Sequence, residues 1–446
     1  MPISPARAAA FDILLRVERD YSYASELLHS SAHANLSTPD HALATELVMG
    51  VLRWRSCLDA EIATASSQPL SKLDLEILIS LRLAVYQFLW LDRIPKRAAL
   101  HESVELVKRA RKRSAAPFVN AVLRKLSQST RSEILAGEPS SPEILAQTLA
   151  HPQWLVERWA REYGLPATQQ ICQFDQSIPA TAVRLRTPTI EAQLQEEGVT
   201  LAPGALLASA CRVQTGDITK TRAFREGQIV IQDEASQLVA ALLGQGLSIL
   251  DCCAAPGGKT LAIADRNPAG SIIAVELHPH RARLLRKLLR PHAARIRIVT
   301  ADAQHLPITA QFDRVLADVP CSGTGTLARN PEIKWRLAPA DLGDLAQRQL
   351  AILRSALAQV APAGRLIYST CSLEKEENEA LVEQALSENK SFRLVDCSPE
   401  LNRMKNTGDL TWSDPQSLAR GPYLRTLPGI HPCDGFFAAI FERSRD

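Results

Sequence analysis

Two cysteines stand in short motifs that would suit covalent chemistry. Cys321 lies in the run DVPCSGTGT and Cys371 in the run YSTCSLEKEENE, and a serine follows each of them directly. A thiolate is a strong nucleophile that can attack an electrophilic carbon and form a covalent intermediate. A buried, inert thiol is the commoner fate of a single cysteine. Two thiols that face one ligand pocket would favour the catalytic interpretation.

A glycine-rich run, DCCAAPGGKT from Asp251 to Thr260, could hold a ligand. Small residues between a strand and a helix let the backbone approach a ligand closely, and the start of the helix favours partial negative charge. A Walker loop would need glycine where Cys253 stands, and the dinucleotide G-x-G-x-x-G spacing is absent. The run therefore indicates a nucleotide-like ligand without a phosphate cradle, the alternative being a tight turn with no ligand.

Acidic residues follow the next two predicted strands. Glu276 stands about 20 residues beyond the glycines, where an acid typically binds the ribose of an adenosine-type cofactor. Asp302 is suitably placed for the far side of the adenosine, although one acid at such a position often caps the next helix. S-adenosylmethionine carries adenosine but no phosphates, so it is the candidate cofactor. Its predicted binding residues are Cys253, Ala254, Ala255, Pro256, Gly257, Gly258, Lys259, Glu276, Asp302 and Asp318.

Methylation at C5 of cytosine is a reaction that needs such thiols. C5 is a poor nucleophile until a thiolate adds to C6 and makes the ring enamine-like. The proton at C5 must then leave so that the enzyme can eliminate from C6, and a second thiol or a water can assist. Asp318 could hydrogen-bond the amino group and N3 of the cytosine. A metal route is disfavoured because C-x-x-C and H-E-x-x-H motifs are absent from the sequence.

These residues require a sheet that brings strand ends together. Five apolar runs alternate with helical stretches in the C-terminal half, at residues 248–252, 271–275, 296–300, 313–317 and 365–369. This alternation predicts a parallel sheet with helices on both faces and ligands at the carboxyl ends of its strands. Since the fourth and fifth strands of such sheets are usually neighbours, we expect Cys321 and Cys371 to face one pocket.

The preceding residues have a different pattern. Residues 5–128 show apolar side chains three and four apart, which predicts helix after helix. Thr38 is predicted to cap one helix, and Leu75–Trp90, apolar nearly all round, is predicted to be the central helix of a bundle. Residues 127–142 are typical of a linker. A middle region with short candidate strands such as 182–185 follows.

Composition excludes several classes of protein. The 446 residues favour about two to four domains, and 46% hydrophobic with 22% charged residues is ordinary globular composition. No apolar run approaches the ~18 residues of a membrane span, and the N-terminus lacks the apolar segment of a secretion signal. The nine cysteines have no regular spacing, which indicates reduced thiols. We therefore expect a cytoplasmic protein without a membrane partner.

The formal charge of +3 is too small to indicate a partner, but basic residues are clustered. The first cluster is Lys108, Arg109, Arg111, Lys112 and Arg113. The second is Arg281, Arg283, Arg286, Lys287, Arg290, Arg295 and Arg297. Either cluster could contact phosphates of a nucleic acid or could be a solvated helix face.

The motifs DCCAAPGGKT, DVPCSGTG and STCSLEKEENE, in this order, resemble the signature of the Fmu/Sun superfamily of RNA cytosine-5 methyltransferases. The run GFFAAIFER at 435–443 resembles the closing strand of that family. The N-terminal runs STPDHALATELVMGVLR and PFVNAVLRKL resemble the NusB-type RNA-binding domain of the bacterial ribosomal RNA small subunit members. Glu276 stands where many relatives carry Asp, a change that keeps the carboxylate.

The resemblance implies a multidomain fold and a division of labour between the thiols. It implies a NusB-like helical RNA-binding domain at 1–138, a linker and small α/β subdomain at 139–235, and a Rossmann-like class I methyltransferase domain at 236–446. It further implies that Cys371 attacks C6 and that Cys321 assists release of the product; spacing and composition alone do not order these two roles.

The function implied is transfer of a methyl group from S-adenosylmethionine to C5 of a cytosine in 16S ribosomal RNA. No obligate protein partner is evident. The catalytic motifs alone leave open a relative that acts on transfer RNA or another RNA. A non-catalytic RNA-binding relative is a further alternative, against which the intact thiol pair and carboxylates argue.

Overall fold

The structure is a computed structural model that describes residues 3–33, 35–128, 141–187 and 189–445. Its chain forms two compact units: Met1–Ile178 with Leu327–Leu337, and Pro179–Thr326 with Ala338–Asp446. The domain borders expected after residues 138 and 235 stay predictions. Most of the predicted linker, residues 129–140, lies outside the described residues. None of the described helices is both long enough and apolar enough to cross a membrane.

The first unit is helical. Its helices are α1 (Pro5–Asp20), α2 (Ala24–Leu28), α3 (Thr38–Ala65), α4 (Leu75–Trp90), α5 (Lys96–Arg109), α6 (Ala116–Leu126), α7 (Pro142–Thr148), α8 (Gln153–Tyr163) and α9 (Leu165–Asp175). Helix α4 has the predicted bounds and is buried on nearly every side. Its buried Arg82 forms a two-pronged ion pair with Asp59, both N–O distances being 2.7 Å. That pairing neutralises the positive charge of Arg82, which the otherwise apolar helix places in the core.

The start of α3 differs from the prediction by one residue. Ser37, and not Thr38, is the cap, because its hydroxyl accepts a hydrogen bond from the backbone N–H of Asp40 at 3.3 Å. Thr38 is the first helical residue. Pro39 has no N–H to offer, so the first donor after it lies three residues beyond Ser37, where a cap side chain reaches.

The basic cluster at 108–113 lies at the end of α5 and in the turn that follows it. Three of its charges are already paired on the surface: Lys108 with Glu105 at 2.7 Å, Arg109 with Asp12 at 2.5 Å and Lys112 with Asp74 at 2.9 Å. Exposed pairs of this kind contribute only ~0–1 kcal/mol, so a phosphate could compete for the cations. Phosphate contact by this cluster stays a prediction.

A short segment from far along the chain completes the first unit. Lys334, in the helix Ile333–Arg336, is fully buried and donates hydrogen bonds to the carbonyls of Arg53 and Ala150, both at 2.9 Å. Burial lowers the pKa of this ammonium to about 7. Residues 327–337 therefore belong to the helical unit, although sequence places them among the strands.

The second unit begins with a small antiparallel sheet. Its elements are β1 (Ala182–Leu185), α10 (Ile190–Glu196), β2 (Thr200–Pro203), β3 (Ala210–Thr215), α11 (Arg222–Arg225) and β4 (Ile229–Ile231). The strand order is β2-β3-β1-β4. Val183, Ile190 and Leu194 form part of a separate small core.

A nine-stranded sheet makes up the rest of this unit. Its strands and flanking helices are α12 (Glu234–Leu242), β5 (Ser248–Asp251), α13 (Gly258–Arg266), β6 (Ser271–Glu276), α14 (Pro279–Leu288), β7 (Ile296–Thr300), β8 (Phe312–Asp318), α16 (Asp341–Leu357), β9 (Val360–Thr370), α17 (Glu379–Glu388), β10 (Phe392–Val395), α18 (Ser398–Asn406), β11 (Ala419–Arg420), β12 (Tyr423–Thr426) and β13 (Phe436–Arg443). The helix Ile333–Arg336 of the first unit, α15, comes between β8 and α16 in the chain. The order is β11-β12-β13-β9-β8-β5-β6-β7, and β10 pairs with β13.

Strands β5 to β9 are parallel, as predicted, whereas β10 to β13 add antiparallel pairing at one side. Neighbouring residues point to opposite faces: Ile249 packs into one core cluster and Leu250 into another. Helices cover both faces, so the unit is a Rossmann-like α/β fold. The strand order reverses between β5 and β8, where such sheets open a ligand crevice at the carboxyl ends.

Candidate active site

The structure brings the sulfur atoms of Cys321 and Cys371 to 3.3 Å from each other. Strands β8 and β9 are paired in parallel, with Asp318 opposite Ser369, so the residues that follow the two strands meet at one edge. Both cysteines are partly exposed. A partly exposed pair can reach a substrate that enters at this edge, which distinguishes it from the buried thiols of a core.

The surroundings of Cys321 favour its protonated thiol. The hydrogen bond with Cys371, followed by burial, raises the pKa of Cys321 well above its usual value. Cys321 therefore holds its proton at neutral pH, and its S–H can donate to the Cys371 sulfur. Burial likewise raises the pKa values of Cys252 and Cys253, which makes these two thiols poor nucleophiles.

A buried carboxylate ties the two thiol loops together. Glu377 accepts hydrogen bonds from the backbone N–H of Ser322 at 2.8 Å and from the Ser322 hydroxyl at 2.5 Å. Its second oxygen also accepts from the hydroxyl of Ser372. Since these serines directly follow the two cysteines, Glu377 fixes the position of one thiol loop relative to the other. Sequence analysis missed this residue, because an acid within the charged run EKEENE looks like a solvated surface residue.

The loop after Cys321 requires glycine at a close approach of two backbones. The N–H of Gly325 donates to the carbonyl of Cys371 at 2.8 Å, and the N–H of Gly435 donates to the carbonyl of Gly325 at 2.7 Å. A Cβ added at Gly325 would lie 2.1 Å from the Gly435 oxygen. Any side chain there would push the two loops apart. Gly325 therefore allows the loop that follows Cys321 to pack closely against the backbone at Cys371 and Gly435.

A partly buried ion pair lies beside the thiols. Lys259 Nζ is 2.8 Å from Asp318, whose other oxygen accepts from the Ser369 hydroxyl at 2.7 Å. Burial acts to lower the pKa of Lys259, but the neighbouring Asp318 and Cys371 outweigh it and the pKa is raised. The ammonium therefore stays protonated and places positive charge at the edge where a thiolate would form.

The glycine-rich turn connects β5 to α13, as the sequence indicates. Gly257 has a φ of +113°, and a Cβ there would lie 2.7 Å from Leu285 and 2.8 Å from Leu288. Glycine is therefore needed for backbone conformation and for space. Below the turn, burial raises the pKa of Asp251 to about 6, and the Thr260 hydroxyl donates to this carboxyl at 2.7 Å.

The predicted acids do not all have the same surroundings. Glu276 is 5% exposed, and one of its oxygens accepts from the N–H of His278 at 2.8 Å. Asp318, Glu276 and Asp251 all act to raise the pKa of Cys253, so these carboxylates face a common region. Asp302 is exposed at the end of β7, and it accepts from the N–H of Gln304 at 2.9 Å. Asp302 thus caps the next turn, a role compatible with a ligand contact.

Comparisons with known proteins agree with this architecture. The family described as "16S rRNA methyltransferase RsmB/F" matches residues 242–442, and the NusB family matches residues 4–128. The chain is 34% identical over 456 residues to "Probable ribosomal RNA small subunit methyltransferase B" of Bacillus subtilis, covering 99% of this chain and 100% of that protein.

Two solved structures share the fold. The structure of PH0851 superposes with a TM-score of 0.80 at 24% identity, covering 99% of this chain and 100% of that one. NSun6 from Pyrococcus horikoshii, solved with SFG, superposes with a TM-score of 0.56 at 18% identity, covering 66% of this chain and 99% of that one.

Proposed function

Since the chain belongs to the 16S rRNA methyltransferase RsmB/F family, we propose that it transfers a methyl group from S-adenosylmethionine to C5 of a specific cytosine in 16S ribosomal RNA. The transfer proceeds through a covalent cysteine adduct at C6. The observation that carries the proposal is the pair of sulfur atoms 3.3 Å apart at the ends of neighbouring parallel strands. In a bacterium this reaction belongs to the cytoplasm, where ribosomal RNA is processed.

In the proposed reaction Cys371 attacks as a thiolate. Its sulfur bonds to C6, the C5–C6 double-bond electrons make C5 nucleophilic, and the protonated Lys259 offsets negative charge near the sulfur. C5 then forms a bond to the methyl group, and the electrons of the broken bond stay with the donor sulfur, so S-adenosylhomocysteine is the other product. We propose that Asp318, which lies at the same strand edge, accepts a hydrogen bond from the cytosine amino group.

Release requires that the C5 proton leave and that the bond between sulfur and C6 break. Cys321 is the candidate base, because its sulfur lies within contact of Cys371. While Cys371 is charged or hydrogen-bonded to it, the pKa of Cys321 is raised and it keeps its proton. Once the Cys371 sulfur is bonded to carbon, its contribution to the raised pKa of Cys321 is removed, while burial and Glu377 still favour the protonated thiol. Cys321 can then lose its proton to solvent and accept the one from C5, whose electrons restore the double bond and expel the Cys371 thiolate.

The predicted cofactor residues fit S-adenosylmethionine. When bound, the cofactor supplies an electrophilic methyl group on a sulfonium. The turn from Cys253 to Lys259 offers backbone groups and the start of α13, and Glu276, Asp302 and Asp318 lie at successive strand ends. Within the described part of the chain, nothing bonds to the second oxygen of Glu276, which leaves it available for ribose hydroxyls. The relative solved with SFG supports a ligand of this general kind in the fold.

Glu276→Ala should weaken binding of S-adenosylmethionine by about 1 to 3 kcal/mol, the scale of hydrogen bonds from hydroxyls to a charged group. Isothermal titration calorimetry with the purified protein measures the change. Glu388→Ala is the matched control, because Glu388 pairs with Arg354 on the surface of the same unit. An unchanged dissociation constant in folded Glu276→Ala protein would remove Glu276 from the cofactor site.

The helical unit would hold the RNA. A groove of about 670 Å³ between α5 and α6 is lined by basic and apolar side chains, among them Lys96, Arg97, Lys108 and Arg124. Such a surface suits phosphates together with bases or sugars. Its place in a unit that matches the NusB family supports RNA as the partner.

Bisulfite sequencing tests the proposal directly. In a strain that lacks this gene, one 5-methylcytosine should disappear from 16S ribosomal RNA, and the intact gene should restore it. A Cys371→Ala gene should not restore it. Loss of a 5-methylcytosine from transfer RNA instead, with 16S ribosomal RNA unchanged, would favour the alternative substrate, and no change in any RNA would favour a non-catalytic protein.

A further inference from the structure

A cavity in the second unit lies away from the thiols. It has a volume of about 300 Å³ and is lined by four arginines from four elements: Arg266, Arg314, Arg365 and Arg403. Glu400 and Asp409 also line it. Arg314 lies near the start of β8, whereas Cys321 follows the end of that strand. The cavity is thus separate from the candidate active site.

Two of the arginines are forced together by the sheet. Arg314 and Arg365 are register partners on the parallel strands β8 and β9, so their side chains leave the same face side by side. A Cβ added at Gly244 would lie 4.0 Å from Nε of Arg314 and 3.9 Å from a terminal nitrogen of Arg365. Burial, and next the charge of Arg365, lower the pKa of Arg314. Asp313 and Glu442 act in the opposite direction, but the pKa of Arg314 remains lowered.

The acids nearby compensate part of this charge. Asp409 lines the cavity, and one of its oxygens accepts a hydrogen bond from the Thr407 hydroxyl at 3.0 Å. Arg365 pairs with Glu442 at 3.1 Å, and Arg403 pairs with Glu400 at 2.6 Å. The Asp313 carboxylate accepts hydrogen bonds from the backbone N–H groups of Leu247 and Ser248. That leaves Arg314, whose guanidinium donates to the adjacent Asp313 carbonyl at 2.7 Å.

The Nε of Arg314 is buried and has no hydrogen-bond partner among the described residues. Arg266, at the end of α13, has no carboxylate partner among the described ion pairs. An unpaired buried donor on a cation is costly, and an oxyanion that accepts from it would remove the cost.

We propose that this cavity is a phosphate-binding site, in which Arg314 and Arg266 are the principal donors. Planar guanidinium groups bind phosphate oxygens in two-pronged geometry, which makes phosphate the fitting ligand for converging arginines. The phosphate comes either from the RNA backbone or from a free anion. The RNA source rests on the proposed function, because the cavity would then bind a segment of the substrate RNA that is distant from the target cytosine. The site itself does not depend on that function.

Thermal unfolding with added inorganic phosphate tests the site. Phosphate at about ten times its dissociation constant should raise the melting temperature of the unaltered protein by roughly 3 to 6 °C. Arg314→Gln and Arg266→Gln should each remove most of this shift. The matched control is Arg354→Gln, which alters an exposed arginine paired with Glu388 and should keep the shift. In phosphate-free buffer the melting temperature of Arg314→Gln should be no lower than that of the unaltered protein, since the substitution relieves repulsion. If the Arg314→Gln protein does not fold, Arg266→Gln provides the test.

Filter binding of transcribed 16S ribosomal RNA distinguishes the two sources. If the RNA supplies the phosphate, Arg314→Gln and Arg266→Gln should lower affinity about threefold to tenfold and flatten the salt dependence by about one unit of slope. A phosphate shift with unchanged RNA binding assigns the site to a free anion. Equal phosphate shifts in all variants, or none in the unaltered protein, overturn the proposal. Calorimetry with S-adenosylmethionine on the same samples reports separately on the proposed function.

Discussion

Cys371→Ala should abolish methyl transfer and form no covalent complex with RNA, whereas Cys321→Ala should accumulate a protein–RNA adduct that survives denaturing electrophoresis. Losing the attacking thiol prevents the bond to C6, while losing the release thiol leaves that bond in place after methyl transfer. The 3.3 Å separation of the two sulfur atoms makes both roles available at one bound base. Electrophoresis of the protein incubated with 16S ribosomal RNA and S-adenosylmethionine measures the adduct.

Two controls isolate the roles of the thiols. The double variant should form no adduct, because the attacker is absent. Cys211→Ala should behave like the unaltered protein, since Cys211 lies in β3 of the small sheet. If Cys371→Ala traps RNA and Cys321→Ala does not, the two roles are reversed. If neither variant changes methyl transfer, the thiol pair is not the catalytic centre.

Asp318→Ala should reduce the rate of methyl transfer by about 10² to 10³-fold, the scale on which losing one preorganised polar group lowers enzyme rates. The substitution leaves the partly buried Lys259 without its 2.8 Å partner and removes the acceptor of the Ser369 hydroxyl. It also removes the oxygen proposed to meet the cytosine amino group. Single-turnover assays with labelled S-adenosylmethionine measure the rate, and calorimetry measures cofactor affinity separately.

The charge of Asp318 can be separated from its shape. Asp318→Asn keeps the volume and an acceptor but cannot neutralise Lys259, so a loss similar to that of Asp318→Ala would identify the ion pair as the important feature. Combining Asp318→Asn with Lys259→Met should then cost less than the sum of the two single losses, because both remove one interaction. A rate close to that of the unaltered protein in Asp318→Ala would exclude Asp318 from the reaction.

Local patterns in the sequence determined much of the architecture. The alternation of apolar runs and helical stretches predicted each strand from β5 to β9, and the bounds of α4 were read directly from its apolar residues. These features depend on neighbours along the chain, since hydrophobic periodicity reports which face of an element is buried. Strand β9 begins at Val360, earlier than predicted, because its pairing with β8 continues past the apolar run.

The candidate site was predictable where motifs coincide with strand ends. Parallel strands place their carboxyl ends at one edge, so Cys321 and Cys371 could be expected to meet once their strands were recognised. The prediction of the cap of α3 was wrong by one residue, because the choice between Ser37 and Thr38 depends on which hydroxyl reaches the first free backbone N–H of the helix.

Only the tertiary structure decided which charged residues are buried, and what they hold. Glu377 lies in a charged run, yet it binds the serines beside both thiols. Lys334 belongs to the helical unit, and Arg314 faces Arg365 across two strands. Each of these contacts joins residues distant in sequence, and the energy of a buried charge depends on such partners rather than on its neighbours along the chain. The sequence alone therefore determined the elements and the reactive groups, while the pairing of distant strands and loops determined the environment in which those groups act.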